Sequence, residues 1–430
     1  MSDIELLYGR GKLAVTLPPG AQPTIVRKTE LPTIADEATA VREALDHPVG
    51  APALSQLAQG RSNACIVICD ITRPVPNNLF LRPMIETMIA AGIPADQITI
   101  LVATGLHRPG DEAEVSEIVG DPWVREQVRV VNHNARDRDS LVNLGTTPTR
   151  GTPVWIDRLL VDADLRIVTG LVEPHFMAGW SGGRKVISPG VAGEDTIRWF
   201  HSALFMEDPA ATSCNLDGNP LHEEQLEIAR MIGELYALNT VIDEDRNLSY
   251  VTFGDIQASH LAAVDFVKDY AIVDVDKKFH TIVTSSAGYP LDKTYYQTVK
   301  GMVTPMDILV PGGTIIMTSE CSEGLGSPDF RESQRKLVAL GAEGFLQTLL
   351  AKNRAEVDEW ETEMQLKPMR LGNIVLYTTG LSAEEREITG VELTDSLTDA
   401  IAASIARSND PAIAVIPEGP YVIPRYAPAA

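Results

Sequence analysis

Residues 69–76 (CDITRPVP) place a carboxylate, a hydroxyl and a guanidinium close together, directly after an apolar, strand-like run. At the end of a parallel strand, such groups can hold an anion through backbone N–H donors and an arginine fork. The alternative is that Asp70 caps the next helix while Arg73 pairs with a surface carboxylate. The segment alone does not decide between these interpretations.

A glycine-rich segment at residues 173–190 (EPHFMAGWSGGRKVISPG) looks like a phosphate-binding loop. It does not match G-x-x-x-x-G-K-[ST], because its glycines are too closely spaced and Val186 follows the lysine. A nucleotide triphosphatase is therefore excluded. We expect the paired glycines to let the chain approach a bulky ligand closely, with Arg184 and Lys185 directed at it. The alternative is a flexible turn that carries solvated cations.

Two histidines stand in repeated contexts. VATGLH ends in His107 and VTGLVEPH ends in His175, so each histidine follows a strand-like run that enters Thr-Gly-Leu. Ligands of open α/β sheets bind at the carboxyl ends of the strands. We therefore expect both imidazoles to face one crevice.

Two further groups carry weaker signals. His201 lies in a segment of helical character that begins near Glu194, where a lone histidine is more often a satisfied core residue than a ligand. Tyr296, Gln297 and Lys300 share one helical face or turn. An ordinary surface helix is the default interpretation of that face.

The elements that must position these groups alternate between apolar runs and helical patterns from about residue 60 onward. This alternation predicts parallel α/β sheets. Strands are predicted at residues 64–69, 98–103, 165–169, 248–253, 280–284, 314–318, 373–377 and 412–416, and helices at 79–91, 221–238, 296–302, 331–364 and 397–406.

The fold class expected is two α/β domains with mainly parallel sheets and an active site in the cleft between them. Residues 1–272 would form an N-terminal domain that carries catalysis and binds the cofactor. Residues 273–430 would form a C-terminal domain that contributes substrate-binding residues, with its last residues packing back on the first domain. The length of 430 residues agrees with two or three domains of roughly 150 residues each.

Composition excludes several classes of function. The net charge of −23, without any Lys/Arg run, argues against nucleic acid or anionic membrane as a partner. The four cysteines are scattered and predict buried thiols rather than zinc or disulfides. NAD chemistry and zinc hydrolysis lack their motifs, G-x-G-x-x-G and H-E-x-x-H. With neither a signal peptide nor about 18 consecutive apolar residues, a cytoplasmic protein is expected.

Five motifs in a fixed order, DITRP, ATGLH, EPHFMAGWSGGRK, FH at 200–201 and YYQTVKG, resemble the nickel-pincer lactate racemase family of 2-hydroxy-acid racemases and epimerases. The resemblance runs from about residue 8 to residue 420. It implies a cofactor, pyridinium-3,5-bisthiocarboxylic acid mononucleotide, which binds nickel through sulfur, carbon and sulfur. Lys185 would carry this cofactor covalently through a thioamide, and His201 would supply the fourth nickel ligand, a donor set that suits Ni(II).

The resemblance also implies roles for the other residues. His107 and His175 would be the catalytic bases. Cofactor contacts would come from Asp70, Ile71, Thr72 and Arg73, and substrate contacts from Arg73, Tyr296, Gln297, Lys300 and Trp360, with the tryptophan closing over the site.

The implied reaction inverts C2 of a 2-hydroxy acid by reversible hydride transfer. Removing hydride avoids a second negative charge beside the carboxylate, and only a pyridinium-like cofactor can accept it. One histidine takes the hydroxyl proton, the 2-keto acid turns, and hydride returns to its other face. Two bases would serve the two enantiomers.

The sequence leaves the choice of substrate open and indicates the partners only in general terms. The bulky residues Phe176, Met177, Trp180 and Tyr295 favour a small, lactate-like substrate, with malate or a sugar acid such as gluconate as alternatives. The competing class is a catalytically inactive protein that binds the nickel cofactor. Expected partners are the 2-hydroxy acid and the enzymes that synthesise the cofactor, and the sequence leaves the oligomeric state open.

Overall fold

The computed structural model describes residues 3–428, in which twenty strands and fifteen α-helices form. The strands are β1 (Asp3–Tyr8), β2 (Gly11–Thr16), β3 (Gln22–Ile25), β4 (Ala64–Cys69), β5 (Ile98–Ala103), β6 (Arg129–Asn132), β7 (Leu141–Thr146), β8 (Pro153–Asp157), β9 (Leu165–Leu171), β10 (Pro174–His175), β11 (Gly179–Trp180), β12 (Tyr236–Ile242), β13 (Leu248–Asp255), β14 (Ile272–Val275), β15 (Phe279–Ser285), β16 (Leu309–Thr318), β17 (Asn373–Tyr377), β18 (Glu392–Thr394), β19 (Ala412–Ile416) and β20 (Ile423–Tyr426). The helices are α1 (Glu37–Asp46), α2 (Leu54–Leu57), α3 (Asn77–Ala90), α4 (Glu112–Val119), α5 (Pro122–Gln127), α6 (Arg158–Val161), α7 (Glu194–Phe200), α8 (Ala203–Met206), α9 (Pro220–Ile232), α10 (Ile256–Ala271), α11 (Tyr295–Val303), α12 (Pro328–Leu350), α13 (Glu359–Leu371), α14 (Ala383–Glu387) and α15 (Leu397–Ser408).

The chain forms two compact units, each built from more than one segment. The central unit comprises residues 30–200 and 215–269, and the terminal unit comprises the residues up to 29, residues 201–214 and those from 270 onward. This division differs from the continuous segments 1–272 and 273–430 that the sequence suggested.

The physical reason for the difference is strand pairing at both ends of the chain. β3 pairs in parallel with β19, and the β1–β2 hairpin contributes Leu6 and Val15 to the same core as Val283 and Ile413. β20 pairs with β14 inside the terminal unit, so both ends of the described chain belong to one unit.

The sheet of the central unit has the strand order β13-β12-β9-β4-β5-β6, and all of its pairs are parallel except β12 with β13. β4 (ACIVIC) is buried from Ala64 to Ile68, as expected of a strand covered on both faces. The chain adds β5 and β6 on one side of β4 and later adds β9 on the other. Ligand crevices of open α/β sheets form where the strand order reverses in this way, outside the carboxyl ends of the strands.

The sheet of the terminal unit has the order β18-β17-β16-β15-β19-β3, and every pair in it is parallel. The expected fold class, α/β with mainly parallel sheets, is confirmed. Among residues 3–428, no helix is long and apolar enough to cross a membrane.

Two predicted helices end earlier than their sequence patterns suggest. The pattern at 221–238 contains α9 and the start of β12, because Gly233 adopts φ of 105°, a conformation open mainly to glycine. The pattern at 331–364 is divided between α12 and α13 by residues 351–358. Apolar spacing alone did not reveal either break.

One buried histidine joins three parts of the central unit. His133 is 1% exposed, and its Nδ1 lies 2.8 Å from Oδ2 of Asp157, while its Nε2 lies 3.0 Å from the carbonyl oxygen of Ala192. The ring thus bridges a buried carboxylate and a backbone carbonyl, and both of its nitrogens have a partner in the interior. The contact ties the end of β8 to the segment that follows the glycine-rich loop.

Replacing His133 with alanine should therefore destabilise the protein. Leaving the Asp157 carboxylate buried without its partner costs about 3 kcal/mol of the free energy of unfolding. Denaturant unfolding of His133→Ala measures this loss, with His47→Ala at an exposed position as the matched control, expected within about 0.5 kcal/mol of wild type. Equal stability of the two variants would show that the buried pair contributes nothing.

Candidate functional site

A carboxylate–imidazole pair joins the carboxyl ends of β4 and β5. Oδ2 of Asp70 lies 2.7 Å from Nδ1 of His107, and the Thr72 hydroxyl donates to Oδ1 at 2.5 Å. The carboxylate accepts, so Nδ1 of His107 carries the proton and Nε2 is left as a basic nitrogen. The Asp70 side chain is 12% exposed and the His107 side chain 63% exposed, so a buried acid orients an accessible ring.

The charge state of Asp70 follows from these contacts. Burial raises the pKa of Asp70, but the hydrogen bonds from His107 and Thr72 outweigh it and hold the pKa below its usual value. Asp70 does not cap the following helix, since the N-cap residue of α3 is Pro76 and no side chain caps that helix. That alternative from the sequence is wrong.

An ion pair joins the carboxyl ends of β4 and β9. Nη1 of Arg73 donates to Oε1 of Glu173, and the two side chains are 28% and 23% exposed. The carboxylate that pairs with Arg73 thus belongs to the EPH segment and not to an unrelated surface residue, as the alternative interpretation would require. The two pairs together connect three neighbouring strand ends at the point where the strand order reverses.

His175 lies in the small β10–β11 hairpin, opposite Gly179. Its Nδ1 accepts from the backbone N–H of Met177 at 3.4 Å and of Ala178 at 3.2 Å. A nitrogen that accepts carries no proton, so the neutral ring has its proton on Nε2. His107 and His175 therefore differ in tautomer.

Lys185 projects from a buried loop. Of residues 181–188, Lys185 alone is not buried, and it lies in a short 3-10 helix, Gly183–Val186. The loop packs directly on β9, since a Cβ on Gly170 would lie 2.9 Å from Cα of Gly182. The Lys185 charge also acts on Cys69 at the end of β4, whose thiol pKa is raised to about 12, mainly by burial.

The rest of the glycine-rich loop differs from expectation. A Cβ on Gly182, where φ is 82°, would lie 2.6 Å from Cγ2 of Val172, so this glycine allows close packing on the unit's own strand rather than on a ligand. Arg184 is 1% exposed and donates to Ala178 O at 3.0 Å, so it is not directed at a ligand. Burial lowers its pKa to about 9.

The remaining sequence-predicted residues lie in the terminal unit. The His201 ring packs against the Trp360 ring in a tilted arrangement, with centroids 4.8 Å apart and planes 34° apart, and Trp360 Nε1 donates to the Tyr296 hydroxyl at 3.1 Å. On the same helix as Tyr296, Lys300 Nζ donates to Gln297 Oε1 at 2.5 Å. The four residues that the sequence placed far apart, at 201, 296, 300 and 360, therefore belong to one unit.

The bulky residues that favoured a small substrate are all buried. Phe176, Met177 and Trp180 are 7%, 4% and 1% exposed, and Tyr295 is 0% exposed with its hydroxyl bonded to Thr389 O. Tyr295 therefore packs in the core of the terminal unit rather than on an open face.

Sequence reasoning missed Glu361, a buried acid beside Trp360. It is 1% exposed, and its Oε1 has no hydrogen-bond partner within the described part of the chain. Burial raises the pKa of Glu361 to about 8; the charge of Lys300 opposes this rise and that of Asp358 adds to it. The pattern at 331–364 predicted a helix and gave no signal for a buried carboxyl.

The arrangement in the central unit supports proton transfer on an anionic ligand. It combines a base oriented by a carboxylate, a guanidinium, and an amine, all at the carboxyl ends of one sheet. Within residues 3–428, no group of three or more His, Cys, Asp or Glu side chains is placed to hold a metal ion.

The chain matches two family models. "Lactate racemase N-terminal domain" matches residues 8–213, and "Lactate racemase C-terminal domain" matches residues 275–423. A lactate racemase of Thermoanaerobacterium thermosaccharolyticum is 33% identical over 431 residues, covering 99% of this chain and 100% of that protein. A lactate racemase of Lactiplantibacillus plantarum is 32% identical over 393 residues, covering 90% of this chain and 91% of that protein.

Solved structures show the same similarity. The lactate racemase apoprotein from Thermoanaerobacterium thermosaccharolyticum superposes with a TM-score of 0.91 at 31% identity, covering 99% of this chain and 100% of that one. A protein from Thermotoga maritima superposes with a TM-score of 0.67 at 17% identity, covering 93% of this chain and 100% of that one, which is a likeness of fold alone.

The buried Glu361 should make the stability of the protein depend on pH. An unfolded glutamate ionises near pH 4.3, whereas the folded group, with a pKa of about 8, keeps its proton. Between these values the unfolded state binds fewer protons, so stability falls as pH rises from about 4.3 to 8. Glu361→Gln removes this loss, so its advantage over wild type should widen by roughly 1–4 kcal/mol between pH 5 and pH 9.

Denaturant unfolding of wild type and Glu361→Gln at both pH values measures this effect. The exposed Glu392 provides the control, because Glu392→Gln should differ from wild type equally at both pH values. A constant difference for Glu361→Gln would show that this carboxyl is already ionised in the folded protein.

Proposed function

Because the chain belongs to the lactate racemase family, we propose that it is a racemase that inverts C2 of a small 2-hydroxy acid, with lactate as the first candidate. The observation that carries the proposal is the Asp70–His107 pair beside Arg73 at the switch point of the central sheet. These residues supply what inversion of a hydroxy acid needs from a protein, namely a base for the hydroxyl and a cation for the carboxylate.

Inversion at C2 by hydride transfer also requires a hydride acceptor, and no side chain offers one. The nickel-pincer nucleotide of the family, when bound, supplies an electrophilic pyridinium carbon that accepts and returns hydride. Lys185 fits as its point of attachment, because it is the one side chain of residues 181–188 that the fold leaves outside the core. An amine is also a nucleophile able to form a thioamide.

His201 fits as the protein's nickel ligand. It is 8% exposed, and the tilted Trp360 ring packs against it, so its orientation is restrained before any metal binds. An imidazole beside sulfur donors suits Ni(II). The Thr72 hydroxyl and the 41% exposed Ile71 remain proposed cofactor contacts, on the same loop as Asp70.

The protein's own part in the reaction is to hold the carboxylate and move the hydroxyl proton. Arg73 binds the substrate carboxylate, for which a guanidinium offers a two-point contact. Lys300, beside Gln297 and Tyr296, supplies the second cation. Nε2 of His107 takes the hydroxyl proton as C2–H breaks, while Asp70 stabilises the imidazolium that forms. His175 is the second group that meets the substrate oxygen.

A chiral assay tests the function. Protein co-produced with the cofactor-synthesis enzymes is incubated with single enantiomers of lactate, malate and gluconate, and chiral chromatography measures inversion. We expect lactate to racemise fastest. Inversion of malate or gluconate alone would reassign the substrate, and no inversion by a nickel-loaded preparation would favour a cofactor-binding protein without turnover.

Lys185→Ala should abolish covalent attachment of the cofactor, because no other residue of the loop offers an amine. Intact-mass measurement after co-production with the synthesis enzymes shows the adduct on wild type. Lys268→Ala, at a lysine with a 46% exposed side chain, is the matched control and should keep it. An adduct that persists on Lys185→Ala would place the attachment elsewhere.

A further inference from the structure

The turn that carries His175 is held by two buried side chains from outside it. Nδ2 of Asn219 donates to the carbonyl oxygen of Met177 at 3.0 Å, and Nη2 of Arg184 donates to that of Ala178 at 3.0 Å. Asn219 is 0% exposed and Arg184 is 1% exposed. The two successive carbonyls of the turn are therefore both fixed from the protein interior.

Asn219 uses its whole hydrogen-bonding capacity. Oδ1 accepts from the backbone N–H of Leu221 at 3.0 Å and of His222 at 3.2 Å, which caps α9. Nδ2 donates to Asn215 O at 3.0 Å as well as to Met177 O. An amide side chain whose four hydrogen-bonding sites are all satisfied is held in one orientation. Asn219 therefore fixes the turn relative to α9.

Arg184 is a buried cation whose described contacts are to carbonyl oxygens and an imidazole. Nη1 lies 2.8 Å from Nε2 of His260, and within residues 3–428 no carboxylate forms an ion pair with Arg184. Burying a guanidinium without a counter-ion costs free energy, so we infer that the hydrogen bonds which Arg184 donates serve a purpose. Here the donors fix the carbonyl of Ala178.

The turn has no room to move toward α9. Gly179 adopts φ of 75°, and a Cβ there would lie 2.2 Å from the carbonyl oxygen of Asn215. The backbone of the turn at Gly179 therefore lies directly against Asn215, whose carbonyl oxygen also accepts from Asn219. With the carbonyls facing inward, the N–H groups of Met177 and Ala178 both face Nδ1 of His175.

We propose that Asn219 and Arg184 are positioning residues for His175, because by holding the two carbonyls of its turn they direct two backbone N–H groups at Nδ1 and fix the ring with its proton on Nε2. The catalytic importance of His175 in this inference rests on the proposed function, whereas the geometry of its ring is independent of that function. In the resting protein, His107 then offers a basic Nε2 and His175 offers an Nε2–H donor.

The tautomer is measured directly on the protein without cofactor. Long-range ¹H–¹⁵N spectra of histidine-labelled protein distinguish protonated from bare ring nitrogens, and His175→Gln and His107→Gln assign the two residues. We expect the proton of His175 on Nε2 and that of His107 on Nδ1. A wild-type His175 ring protonated on Nδ1 overturns the proposal, and it does so without any statement about activity.

Asn219→Asp separates the two roles of Asn219. Aspartate caps a helix as well as asparagine but has no donor for Met177 O. Asn219→Ser is a neutral variant that can also cap the helix, but its shorter side chain lacks the amide N–H that reaches Met177 O. Both should give a mixture of His175 tautomers while the His107 signals stay unchanged. Asp36→Ala, which removes the exposed cap of α1, is the control for loss of a cap alone and should leave His175 unchanged.

Cofactor-loaded protein adds the kinetic readout. Loss of ring alignment should lower kcat by about 10- to 100-fold in both Asn219 variants, with KM changed little. Wild-type kcat together with a wild-type His175 tautomer in either folded variant overturns the proposal. If wild type itself does not racemise any substrate, the proposed function fails, and the His175 tautomers in wild type and in the Asn219 variants alone decide the role of Asn219.

Discussion

The chemistry of the central unit depends on one constraint, the adjacency of the carboxyl ends of β4, β5 and β9. Parallel pairing on both sides of β4 puts three loops from distant parts of the chain at one edge of the sheet. A hydrogen bond between Asp70 and His107 and an ion pair between Arg73 and Glu173 then connect these loops. Because the strands are buried and rigid, the paired side chains need little reorganisation to reach a geometry suited to proton transfer.

Buried polar groups hold the surroundings of this edge. His133 ties the segment after the glycine-rich loop to β8, Arg184 holds the turn of His175, and Asn219 joins that turn to α9. Each of these groups is 0–1% exposed, where an unsatisfied polar atom would cost free energy. In this part of the fold, buried polar contacts rather than additional apolar packing therefore hold the segments around the two histidines.

Much of this could be predicted from the sequence, since local patterns determine local structure. The apolar runs at 64–69 and 98–103 correspond to β4 and β5, and the repeated Thr-Gly-Leu context placed His107 and His175 beyond strand ends. Features set by tertiary contacts could not be predicted in this way. The pairing of β3 with β19 and the burial of Glu361 depend on partners hundreds or tens of residues away, which no local periodicity encodes.

The fate of the hydrogen at C2 tests the proposed chemistry most directly. Racemisation by hydride transfer keeps that hydrogen on the substrate and cofactor, whereas removal of a proton by a histidine would exchange it with solvent. Cofactor-loaded protein is therefore incubated with one lactate enantiomer in D₂O, and the separated product enantiomer is examined by mass spectrometry. We expect product with protium at C2. Deuterium at C2 of the inverted product would contradict hydride transfer and assign His107 and His175 to direct proton abstraction.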